Sequence, residues 1–71
     1  MDGQVECHSE YEYAECPVAL HWEGQRLEIE AVERGWRVPG GKRFRVRTVG
    51  GQIFELFYEE HDGEWRIALL S

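Results

Sequence analysis

Residues Lys42 to Tyr58 read KRFRVRTVGGQIFELFY, two alternating runs joined by a glycine pair. Successive side chains of an extended chain point to opposite sides, so period-two alternation marks a strand with one dry face and one wet face. In the first run Phe44 and Val46 are the dry face, and Arg43, Arg45 and Arg47 are the wet one. The register follows because directly opposed residues share a face, and Phe44 and Val46 must lie with Phe54, Leu56 and Tyr58. A two-residue Gly50-Gly51 loop sets Arg47 against Phe54 and Arg45 against Leu56, which mixes the faces. A three-residue loop of Val49, Gly50 and Gly51 sets Val46 against Phe54, Phe44 against Leu56, Arg45 against Glu55 and Arg43 against Phe57. It also places Gly51 at the left-handed position of a type I turn with a G1 bulge. This second register is the expected one.

The rest of the chain extends the pattern. Glu60-His61-Asp62-Gly63 is a turn, and pairing Glu59 with Glu64 puts Trp65 opposite Tyr58, Ile67 opposite Leu56 and Leu69 opposite Phe54, all on the dry face. Upstream, Val18 to Trp22 is a short strand entered at Pro17, where a missing amide donor is tolerated. Glu23-Gly24 is a tight turn, and Gln25 to about Val38 follows. Leu27, Ile29 and Ala31 alternate against Glu28 and Glu30, but the adjacent apolar pair Ala31-Val32 breaks the phase. A bulge, or a helical turn over Val32 to Trp36, would account for that break. Pro39-Gly40-Gly41 is a strong turn signal. The expected fold is all-β: an antiparallel meander of about five strands. It must curl into a partly open small barrel, because a flat sheet leaves its dry face unburied.

A chain of 71 residues allows one small domain. Three Trp, three Tyr and three Phe suit a core in which each ring buries a large area. The net charge of −6 is unevenly placed: residues 1–15 carry Asp2, Glu6, Glu10, Glu12 and Glu15 and no Lys or Arg. That segment is read as an acidic N-terminal arm, with a short edge strand near 10–14 as an option, and residues 16–71 as the single β domain. No run of about 18 apolar residues would span a membrane. The acidic start lacks the apolar stretch of a signal peptide, so a cytoplasmic setting and reduced cysteines are expected.

The best functional candidate is the basic stripe. Arg43, Arg45 and Arg47, with Arg34, Arg37 and Lys42 nearby and Ile53 and Phe57 on the same face, resemble a single-strand nucleic-acid platform. The competing account is internal: Arg45 pairs with Glu55, Arg43 stacks on Phe57, and only Arg47, opposite Ile53, is left without an obvious partner. A dedicated nucleic-acid binder is usually basic overall, and this chain is acidic. Ile53, Phe57, Ala68 and Leu70 make the wet face partly apolar, which suggests a protein partner, self-association or cover by the N-terminal arm. Exposed edge strands offer another route to a partner chain. Cys7, His8, Cys16 and His21 are nominal zinc ligands, but adjacent Cys7-His8 is awkward for tetrahedral ligation and no CxxC is present. Cys16 with His21 or His61 is the one nominal nucleophile and base, and Glu59, Glu60, Asp62 and Glu64 read as a solvated turn. No catalytic residue, metal or cofactor is expected.

The stretches ALHWEGQRLEIEAVERGWRV, FRVRTVGGQIFELFY and EWRIALL together resemble a family of short bacterial all-β domains of unknown function. The resemblance covers residues 16–70. It rests on Trp22, Gly24, Trp36, Phe44, Val46, Arg47, Gly51, Phe54, Glu55, Leu56 and Trp65. Where that family commonly has arginine directly after the first turn glycine, this chain has Gln25, with Arg26 one place on. Some such domains sit beside, or at the C-terminus of, damage-tolerance (Y-type) DNA polymerases, which implies an accessory role near DNA repair. The reading is therefore a non-enzymatic binding module, monomeric or a weak homodimer. Its first expected partner is a protein and its second a single-stranded nucleic acid.

Overall fold

Six antiparallel strands run as a meander: β1 (Gln4–His8), β2 (Cys16–Trp22), β3 (Gln25–Val38), β4 (Gly41–Thr48), β5 (Ile53–Glu59) and β6 (Glu64–Leu69). The structure, a computed structural model, describes residues 4–8 and 16–71. Each strand pairs with the next in sequence, and no helix occurs among the described residues. The sheet curls into a half-barrel, and the end strands β1 and β6 approach across the open side without pairing. The edge strand considered near 10–14 lies outside the described residues.

The hairpin register is the one the alternation dictates. Val46 faces Phe54, Phe44 faces Leu56, Arg45 faces Glu55 and Arg43 faces Phe57. The amides of Gly51 and Thr48 donate to the carbonyls of Thr48 and Gln52, and Gly51 takes φ 90°, so the turn closes as expected. Across the next turn Tyr58 faces Trp65, Leu56 faces Ile67 and Phe54 faces Leu69. Leu69 nevertheless stays 46% exposed, because among the described residues no strand pairs with the outer edge of β6 to cover it.

One place departs from the expectation and another decides between its alternatives. First, Gln4–His8, assigned to an acidic arm, forms a strand on β2 and sends Val5 into the core, which makes six strands rather than about five. Second, of the bulge and the helical turn that the phase break in β3 allowed, the bulge is what forms, and it forms twice. Ile29 faces Thr48 and Ala31 faces Arg47, so Glu30 is an extra residue; Val32 faces Val46 and Arg34 faces Arg45, so Glu33 is another. An extra residue leaves its partner strand unmatched and bends its own strand. The bend lies where β3 leaves β2, with which its last pair is Glu28 to Ala19, and takes up β4.

The bend brings β1 and β2 over β4 and β5. Leu20, Val46, Phe54 and Leu56 are fully buried between them, ringed by Val5, Trp22, Leu27, Ile29, Val32, Phe44, Trp65 and Ile67. Each of the four fully buried side chains stabilises the fold by about 1.5–3 kcal/mol against leaving it in water, and the partly buried ring around them by less apiece. Trp22 meets Phe54 edge to face at 5.4 Å, and Trp65 contacts Phe44 and Tyr58 at 5.8 and 5.0 Å. Edge-to-face contact places positive ring edge on negative ring face, so it adds to burial alone.

Candidate functional site

The outer, convex face of β3 to β6 is built in rows. One row runs Trp36, Arg43, Phe57, Arg66; the next runs Arg34, Arg45, Glu55, Ala68; the third runs Ala31, Arg47, Ile53. The arginine stripe is thus real, and Ile53 and Phe57 share its face. Trp36 and Arg66 belong to it as well. Sequence reasoning passed over Trp36, although it alternates with Arg34 about Gly35. Once Arg34 faces outward, Trp36 must too.

Most of these arginines already hold a partner. Arg43 Nη1 donates to Glu55 Oε2 at 2.7 Å while its guanidinium lies 4.8 Å from the Phe57 ring centroid. Arg66 reaches Glu59 at 3.2 Å. Arg47, expected to lack an internal partner, has two: Nη1 donates to Glu33, and Nε lies 3.9 Å from Glu30. Both acids are the extra bulge residues of β3, which explains why the regular ladder did not reveal them.

Two further expectations change. The Arg45–Glu55 pair exists only at 3.9 Å, because Glu55 is drawn to Arg43 along the diagonal. Arg37 does not lie with the stripe. It faces Lys42, which faces Tyr58, so it belongs to the opposite side, where Nη1 donates to Glu60 at 2.9 Å. Arg34 stacks 4.9 Å over the Trp36 ring and has no carboxylate partner among the described residues.

A second polar group sits on the outside of β1 to β3. Glu6 accepts from Arg26 Nε and Nη2, both at 2.9 Å, and Glu6 Oε2 lies 2.9 Å from His21 Nε2. This two-point bridge spans from β1 to β3 over β2. It can do so because the β2 residue between Glu6 and Glu28 is Ala19, which lies fully buried beneath it. The Arg26 hydrogen bonds, followed by that of His21, hold the Glu6 carboxyl down at about 2. Bonds that stabilise the ionised form oppose its protonation.

The nominal chemical residues are dispersed. His21 faces Gln4 at one end of the β1–β2 pairing, whereas Cys7 faces Pro17 and His8 faces Cys16 at the other. Among the described residues no group of three or more His, Cys, Asp or Glu is placed to hold a metal ion. In the acidic turn, Glu59 engages Arg66, Glu60 engages Arg37, and Asp62 accepts from the Glu64 amide at 3.1 Å. His61 lies exposed in that turn.

Comparison with family models, with curated proteins and with solved structures found no match to this chain.

Proposed function

We propose that the domain is a non-enzymatic protein-interaction module that acts in the cytoplasm and binds its partner on the convex face. The observation that carries this reading is the row Trp36, Arg43, Phe57, Arg66, set among Glu30, Glu33, Glu55 and Glu59. Tryptophan and arginine are among the side chains most often found at the energetic centres of protein interfaces: the indole offers wide contact area at modest entropic cost, and the guanidinium offers a planar fork of charge-assisted donors. The neighbouring carboxylates neutralise most of the guanidinium charge, which suits a mixed protein surface. They suit a polyanion poorly. Binding to a nucleic acid gains chiefly from counterions released as free cations meet phosphates, and an arginine already paired gains little. An accessory role near DNA repair, which the sequence resemblance implies, fits a module that contacts an enzyme rather than its template.

Photo-crosslinking tests the reading. Benzoylphenylalanine placed at Trp36 in native cells should give discrete protein adducts, and the same group at exposed Glu23 should not. Fluorescence anisotropy with labelled single-stranded DNA and RNA at two salt concentrations should show no salt-sensitive binding. Tight low-salt binding that Arg45→Glu removes would overturn the proposal in favour of nucleic acid.

A further inference from the structure

The second bulge of β3 creates an unusual pair. If Val32 facing Val46 were continued as a regular ladder, Glu33 would face Arg45 and the two would form a cross-strand ion pair. The extra residue instead sends Glu33 to Arg47 and sets Arg34 opposite Arg45. Like charges directly opposed across a ladder repel. Among the described residues nothing fully offsets them: Arg34 has a ring but no carboxylate, and Arg45 has only Glu55 at 3.9 Å, already committed to Arg43 at 2.7 Å. Both guanidiniums are exposed. Bulges commonly re-aim side chains at binding sites, and here the re-aiming concentrates positive charge on a face that is otherwise neutralised.

We propose that Arg34 and Arg45 form a two-arginine clamp for a single carboxylate side chain of the partner protein, with Trp36 as the apolar contact beside it. The inference rests on the protein-interaction reading and adds the chemistry of the partner: an acidic residue next to an apolar or aromatic one. A guanidinium presents paired N–H donors that match the two oxygens of a carboxylate, and a second guanidinium doubles the match. One carboxylate relieves the Arg34–Arg45 repulsion. A phosphate chain would extend past the clamp onto Glu30, Glu33, Glu55 and Glu59 and be repelled there.

The test is selection of binders from a phage-displayed random peptide library on the intact protein, followed by anisotropy of the enriched peptides. Recovered sequences should carry Asp or Glu adjacent to an apolar residue. Arg34→Gln and Arg45→Gln should each weaken binding by about tenfold, as loss of a charge-assisted contact does, while Arg37→Gln on the other side leaves it unchanged. Titration with acetate should move the Arg34 and Arg45 Nε–H resonances before those of Arg43 and Arg47. Peptides that bind through Trp36 yet ignore both glutamine variants would overturn the clamp and leave the interaction reading standing. Failure to recover any peptide sensitive to Trp36→Ala would overturn both. A thymidine dodecamer that binds the clamp as well as the peptides would overturn the choice of a carboxylate.

Discussion

Gly40, in the turn, and Gly41, the first residue of β4, stand side by side and are required for different physical reasons. Gly40 has φ 88° with open space around it, so a side chain there fits but the backbone resists. An L-residue in that region costs about 1–2 kcal/mol. Gly41 has the reverse problem. A Cβ on it would lie 1.9 Å from the Tyr58 carbonyl oxygen, where less than 3.0 Å is essentially never seen. Relief demands that β4 and β5 separate locally by about 1 Å, and backbone cannot yield as a flexible side chain can. The neighbouring Glu60 amide to Gly40 carbonyl bond, at 2.9 Å, would go with it. Overpacking of about 1–3 kcal/mol and a lost hydrogen bond of about 1 kcal/mol give a cost of about 2–4 kcal/mol for Gly41→Ala. For a domain of this size that lowers Tm by about 10–30 °C, against about 5–15 °C for Gly40→Ala. The chain is short enough to synthesise, so each alanine can be made in both mirror forms and melted by far-UV circular dichroism. D-alanine at Gly40 should match or exceed glycine, because it accepts positive φ and restricts the unfolded chain. A smaller loss at Gly41 than at Gly40, or an equal loss with D- and L-alanine at Gly40, would refute the reasoning.

Other outcomes follow from the same contacts. The folded Glu6 carboxyl, near 2, lies below its ordinary value of 4.5, so the stability it contributes is complete above that value and lost as pH falls from 4.5 to about 2. Urea midpoints of the parent and Glu6→Gln should therefore differ at pH 6 and converge by pH 2; a gap that persists in acid would show that the bridge acts through packing instead. A double-mutant cycle on Arg47 and Glu33, both partly exposed, should give a coupling of about 0.3–1 kcal/mol, and none would mean the bulge residue is not held by its charge. Phe54→Ala should cost about 3–5 kcal/mol and leave the domain largely unfolded at 37 °C, read by loss of the far-UV circular dichroism of the sheet and of amide proton chemical-shift dispersion; a folded, cooperative variant would show that the core tolerates the cavity.

The central and C-terminal hairpins were legible because parity alone determines which residues oppose one another once the faces are known. The stripe of Arg43, Arg45 and Arg47 followed from that register. Its partners did not. Ala31-Val32 announced a break, but an adjacent apolar pair does not say which residue is supernumerary, and the answer assigned Glu30 and Glu33 to Arg47. Glu55 was legible as a neighbour of both Arg43 and Arg45, and the choice between straight and diagonal partners depends on side-chain reach. β1 was hidden for another reason: in QVECH only Val5 is a core residue, and the strand is held by tertiary contacts with Arg26 and His21 that no local pattern carries.

The two glutamates that interrupt β3 give the sheet its curvature. Deleting either would leave every later side chain on its present side, since only the surplus residue is removed, but the strand would straighten. A version lacking both would keep its pairing alphabet intact and lose the corner that folds β1 and β2 over Phe54. The hydrophobic stripes would then lie correctly ordered on a flat ribbon, wet on both sides. Shape in this domain is thus carried by two charged residues that contribute nothing to its interior, and a length change of two would turn a half-barrel that covers its own dry face into a sheet that needs another surface to cover it.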